Sequence, residues 1–144
     1  IRCPLLVRWP GKIKAGTTSD HISAHWDLFP TLCELAGTET PEGLDGMSFL
    51  PALLGAEQAQ HEYLYWEFFE GGGKRAVRIG KWKAVQNQVN REGQNASIEI
   101  YDLESDRAET RNLADQNAEL ITRVRNIFKR AHTPSALWKF NWEK

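Results

Sequence analysis

The sequence has little of what most directly advertises a function. Cysteine is scarce: Cys3 and Cys33 are the two in 144 residues. That is too few for a disulfide framework, and they lack the C-x-x-C spacing of zinc sites. No apolar run approaches the ~20 residues that a membrane-spanning helix needs. Neither sign of charge dominates. Eighteen basic and nineteen acidic residues leave a net charge of −1, so nothing draws the chain in bulk to nucleic acid or to an anionic membrane. An initiator Met and a signal peptide are both missing. The chain opens on Ile1-Arg2-Cys3-Pro4, already heading into a strand, and the expectation is a piece of a longer protein. Internal repeats and low-complexity tracts are absent too.

What is present is ordinary globular composition, 41% hydrophobic and 26% charged, long enough for a real core. The most organised stretch is Lys74 to Leu103. Gly80-Lys81 is a turn signal between two strand-like runs. A two-residue loop there puts Ile79 opposite Trp82, Arg78 opposite Lys83, Val77 opposite Ala84 and Ala76 opposite Val85. Val77, Ile79, Trp82 and Ala84 then share one face. Arg78 and Lys83 meet on the other, where like charges repel. A third strand bearing Glu99 and Tyr101 on that side, with Ile98 and Ile100 on the apolar side, relieves the repulsion. Such a sheet needs a cover. The period of Leu120, Ile121, Val124, Ile127, Phe128 and Ala131 predicts it, a helix over 118–131 capped by Asn117 or Asp115.

Pro4 to Trp9 is a near-continuous apolar run that fits a strand buried on both faces. Asp27 to Gly37 reads as a short amphipathic helix, with Asp27 as N-cap, Pro30 in the first turn and Gly37 at the C-terminal stop. Ser48 to Gly55 repeats the device, with Ser48 as cap. Gln58 to Glu62 is a polar connector and the expected organisational boundary. Glu62 to Phe69 has aromatic β character, and Gly71-Gly72-Gly73 reads as a flexible loop. Asn87 to Ala96 is expected to be a mobile excursion.

Few residues carry chemistry. His21 and His25 lack a third ligand at sensible spacing. Asp102 to Asp106 resembles a calcium loop only superficially, since Arg107 and Leu113 occupy the positions needing Gly and Glu. Gly71-Gly72-Gly73-Lys74 is not a phosphate loop, because Arg75 stands where Ser or Thr should bind Mg²⁺. No serine has a G-x-S-x-G context. The glycine-rich rim beside Glu67, Glu70, Lys74 and Arg75 either reaches a substrate or is simply a mobile hairpin edge.

The ordered landmarks say more. Arg2-Cys3-Pro4 through Trp9-Pro10-Gly11 resembles the R-x-P-x-x-x-x-W-P-G segment late in the sulfatase catalytic domain. Asp27-Leu28-Phe29-Pro30-Thr31, Ala36-Gly37 and Asp45-Gly46-Met47-Ser48 resemble the D-x-x-P-T, A-G and D-G-x-S segments that follow. Ala76-Val77-Arg78-Ile79-Gly80-Lys81-Trp82-Lys83 is similar to the A-V-R-x-G-K-[WY]-K hairpin of the arylsulfatase C-terminal subdomain. Tyr101-Asp102-Leu103, Asp106, Glu109 and Asn112-Leu113 match its continuation.

The resemblance implies part of a type I sulfatase of the alkaline-phosphatase superfamily, which hydrolyses sulfate esters with a formylglycine and a divalent cation, usually Ca²⁺. It implies a periplasmic or secreted protein acting on aryl sulfates or sulfated glycans. Cys3 is followed by Pro4-Leu5 and cannot be the modified cysteine. The family's metal ligands, catalytic His residues and sulfate-binding Lys lie upstream, so no catalytic or metal residue is assigned here. Substrate contact is assigned to Glu67, Glu70, Lys74 and Arg75, the two cations suiting anionic sugars.

The expected fold is α+β. Residues 1–56 form the end of an incomplete α/β catalytic domain, and residues 57–144 a small antiparallel sheet covered by the 118–131 helix. Alone, the chain is expected to be inactive and to self-associate. The competing readings are a non-catalytic interaction module and a phosphate or phosphonate ester hydrolase.

Overall fold

A computed structural model describes residues 3–144. Arg2, the first residue of the W-P-G landmark, lies outside the described residues. The chain divides into two compact units between His61 and Glu62.

The first unit is loop-rich around one helix, α1 (Leu28–Ala36), entered through a 3-10 turn at His25–Asp27. Gly37 closes it in the left-handed conformation at φ 67°, with its N–H on the Cys33 and Glu34 carbonyls, as a Cβ-free stop should. A four-residue helix, α2 (Leu50–Leu53), follows. Asp27 takes the predicted N-cap position of α1, but its side chain makes no cap bond to the helix. It is 1% exposed and accepts from the backbone N–H of Ala24 at 2.7 Å and of Met47 at 2.9 Å, with His61 Nε2 also at 2.9 Å. Thr31 completes the tie: its hydroxyl donates to the Asp27 carbonyl and accepts the Phe49 N–H. Gly46 is packed so closely that a Cβ there would lie 2.2 Å from the Trp26 carbonyl oxygen. The connector belongs here as well, because Gln58 bonds both the Ala52 N–H and the Ser48 carbonyl.

Pro4–Trp9 does not form the predicted buried strand. It has no ladder partner among the described residues, and Leu5, Leu6 and Val7 are 53%, 93% and 43% exposed. An apolar run becomes a strand only where a neighbour takes its N–H and C=O groups.

The second unit is a four-stranded antiparallel meander: β1 (Leu64–Phe68), β2 (Lys74–Ile79), β3 (Trp82–Gln86) and β4 (Ile98–Asp102), in that spatial order. The β2–β3 register is the one that Gly80-Lys81 predicts, Ile79 opposite Trp82 and Arg78 opposite Lys83. Between β3 and β4 lies not a loose excursion but a short helix, α3 (Val89–Glu92), and a 3-10 turn, with Val89 and Ala96 fully buried. The cover, α4 (Ala118–Ala131), lays Val124, Ile127 and Phe128 on Val77, Ile79, Ala84, Ile98 and Ile100. Asn117 starts α4 but its side chain donates back to the Leu113 carbonyl rather than capping. No helix among the described residues is long and apolar enough to cross a membrane.

Candidate functional site

The rim between β1 and β2 holds the four residues picked out for substrate contact, and the sheet separates them into two pairs. Side chains alternate along β2, so Arg75 shares the inner face with Val77 and Ile79 while Lys74 points out. Arg75 is 4% exposed. Its Nε and Nη2 donate to Gln86 Oε1 at 3.0 and 2.6 Å, and its guanidinium lies 4.6 Å from the Phe128 ring centre. Gln86 in turn donates to the Gln94 and Ala96 carbonyls. Burial pushes the Arg75 pKa down, opposed by Tyr65 and Glu67. Glu67, directly across from Arg75, accepts from the Tyr65 hydroxyl and lies 2.6 Å from His132 Nδ1. Burial pushes the Tyr65 phenol up, and Glu67 adds to that.

Arg75 and Glu67, both expected at the substrate, therefore face the interior of the unit rather than the exposed rim. The cause is strand parity: a side chain two residues from Val77 on β2 faces the helix, not the solvent. Glu70 and Lys74 stay exposed on the rim.

The loop is more strongly built than a run of three glycines suggests. Gly73 closes on the Glu70 carbonyl, and the Val89 and Asn90 N–H groups land on the Gly73 and Gly72 carbonyls at 3.1 and 2.8 Å. Gly72 holds φ 91°, a backbone conformation that favours glycine, and Gln88 Oε1 occupies the space that a Cβ would take. Asn90 Nδ2 reaches the Phe69 carbonyl. The C-terminal segment lies alongside: Phe140 is buried 4.4 Å from the Phe69 ring, whereas Trp138 is 61% exposed.

Elsewhere the landmark residues prove to be fold-closing contacts. Lys81 pairs with Asp102 at 2.8 Å, and this bond holds the Asp102 carboxyl below its ordinary range. Lys83 meets Glu109 at 2.6 Å, so Glu109 offsets the Lys83 charge in the Arg78–Lys83 juxtaposition. Glu99 lies opposite Val85 and accepts from Tyr101. Asn112 Oδ1 accepts from Ile100 and Ala114, finishing the β4 edge. No three His, Cys, Asp or Glu side chains converge to hold a cation among the described residues.

With that geometry in view, comparison with known proteins is informative. The family described as N-sulphoglucosamine sulphohydrolase, C-terminal, matches residues 1–133. The chain belongs to the sulfatases. It is 31% identical to the ulvan-active sulfatase of Formosa agariphila, over 79% of this chain and 29% of that protein. The crystal structure of Ps i-CgsB in complex with k-i-k-neocarrahexaose superposes with TM-score 0.71 at 28% identity, covering 94% of this chain and 31% of that one. The phosphonate monoester hydrolase of Agrobacterium radiobacter, 23% identical with TM-score 0.54 over 78% of this chain and 25% of that one, shares the fold. The chain thus spans less than a third of the length of these relatives and aligns with the C-terminal portion of a sulfatase in the alkaline-phosphatase superfamily.

Proposed function

We propose that these residues serve a longer, secreted or periplasmic sulfatase that hydrolyses sulfate esters of a glycan, and that they build one wall of its substrate cleft. The family match over residues 1–133 carries the reading. One relative named as ulvan-active and another solved in complex with k-i-k-neocarrahexaose support a sulfated carbohydrate as the substrate class. Residues up to about 56 would complete the catalytic domain, and those from 57 onward would form the C-terminal subdomain.

Nothing in the described residues fits the Ca²⁺ or the formylglycine that the family implies: no ligand cluster converges, and Cys3 is followed by Pro4-Leu5. No catalytic step is therefore derived through either group from these side chains. Their contribution is positional. Lys74 is an exposed cation on a rim stapled by α3, able to meet a sulfate or carboxylate of the sugar without ordering a loop first. Glu70 beside it is an acceptor for sugar hydroxyls.

The test uses the full-length enzyme with an aryl sulfate and a panel of sulfated oligosaccharides, sulfate release being read directly. Turnover of sulfated sugars is expected. No release of sulfate by correctly modified enzyme, with hydrolysis of phosphate or phosphonate esters instead, would overturn the reading. In the same enzyme Lys74→Ala should raise KM for the sulfated sugar by about ten-fold, the worth of one charge-assisted contact, and leave the melting temperature unchanged. An unaltered KM would remove Lys74 from the cleft.

A further inference from the structure

The inner end of the sheet carries a set of buried ionisable groups that substrate contact does not use. His132, the residue after α4, has its Nδ1 2.6 Å from Glu67 Oε1 and its Nε2 3.1 Å from Glu143 Oε1. All three side chains are about 12–15% exposed. A neutral imidazole has one N–H, so one nitrogen would aim a lone pair at a carboxylate oxygen. With both carboxyl groups ionised, the imidazolium, with two N–H donors, is the form that satisfies both contacts.

Glu143 does a second job. Its other oxygen accepts the Phe140 N–H at 2.7 Å, which seats the Phe140 ring, stacked on Trp142 at 4.3 Å, against Phe69. Asn141 then bonds the Asn90 side chain and carbonyl. The charges facing His132 are Glu67 from β1 and Glu143 from the tail. Behind Glu67 stand the Tyr65 hydroxyl and the Arg75 guanidinium of β2. With His132 charged, two cations oppose two carboxylates. Without that proton the cluster has one anion too many in a poorly solvated place.

We propose that residues 132–144 are a proton-dependent strap, seated on the β1–β2 end of the sheet while His132 is an imidazolium and released when it loses its proton. Burial works against the charged form, but the hydrogen bonds and charges of Glu67 and Glu143 outweigh it, and the His132 pKa is raised. A raised folded-state pKa gives stabilisation that is complete below the unfolded value of about 6.5 and is lost as pH climbs through the folded one. The strap is therefore closed in mildly acidic solution and loosens toward alkaline pH. Release would uncover Phe69 beside the rim that the sulfatase reading places at the cleft, although the strap itself stands without that reading.

Hydrogen exchange and imidazole ¹⁵N shifts on the whole chain test it, after correction for the intrinsic pH dependence of exchange. The Phe140 and Asn141 amides should lose about ten-fold protection between about pH 6 and pH 9, while the β2–β3 amides hold theirs. The imidazole resonance absent in His132→Gln should show both nitrogens protonated at the lower pH. In Glu143→Gln the tail amides should exchange fast at both values. Tail protection that does not change with pH in the unmodified chain would overturn the proposal, as would a neutral His132 at pH 6. The exchange result requires no variant at all.

Discussion

Lys83 sits on the outer face of the sheet with its side chain 12% exposed, and Glu109 is bent toward it at a positive φ of 57°. A non-glycine residue in that conformation is held by its surroundings. Lys83→Ala should destabilise the second unit by about 1–3 kcal/mol, the range for a hydrogen bond to a charged group, with little change when salt is added. Denaturant melts at two ionic strengths check this, and a loss that disappears in salt would make the pair a mere surface contact. Gly46→Ala is expected to cost more than its size suggests, about 3 kcal/mol or above, because the new methyl meets backbone rather than a yielding side chain. Protease sensitivity within residues 24–50 would report it. Arg75 shows what was legible at this scale. Its parity with Val77 and Ile79 already placed it indoors, and its charge drew attention outward instead. His132 and Glu143 had no such signal, because the partners of His132 lie 65 and 11 residues away and follow no local period.

Among the elements, the β2–β3 hairpin and α4 stand where patterning placed them, since each is specified by its own periodicity and turn chemistry. Phe128, 2% exposed on the inner face of α4, is the anchor between helix and sheet. Phe128→Ala should cost about 3–5 kcal/mol, and it should also free the Arg75 guanidinium that lies on the ring. A loss under about 1 kcal/mol would mean that α4 is not the cover. Pro4–Trp9 was illegible because strand formation is a property of a pair, and composition reveals only one member. Asn87–Ala96 misled for the opposite reason. Its polar surface masks Val89 and Ala96, two small buried residues that convert the segment into the staple of the glycine rim.

For the whole molecule, the family was legible from the order of short landmarks, while the reason for each landmark was not. Asp27, Thr31, Lys81, Asp102, Glu109 and Asn112 turn out to close the fold. On α1, Leu28, Phe29, Leu32 and Leu35 remain 39–59% exposed on the first unit, with Leu44 and Leu54 nearby in sequence also uncovered. An apolar patch of that kind promotes association. The 144-residue chain is expected to form concentration-dependent assemblies in light scattering, reduced by Leu32→Lys. A sharp monomer at all concentrations would count against it.

The strands of the second unit lie side by side in the order in which they are synthesised, each pairing with the one just made. Loop closure is therefore short at every step, and short closures make for fast, low-contact-order assembly. A growing chain can complete this sheet as it emerges, needing only α4 to seal it.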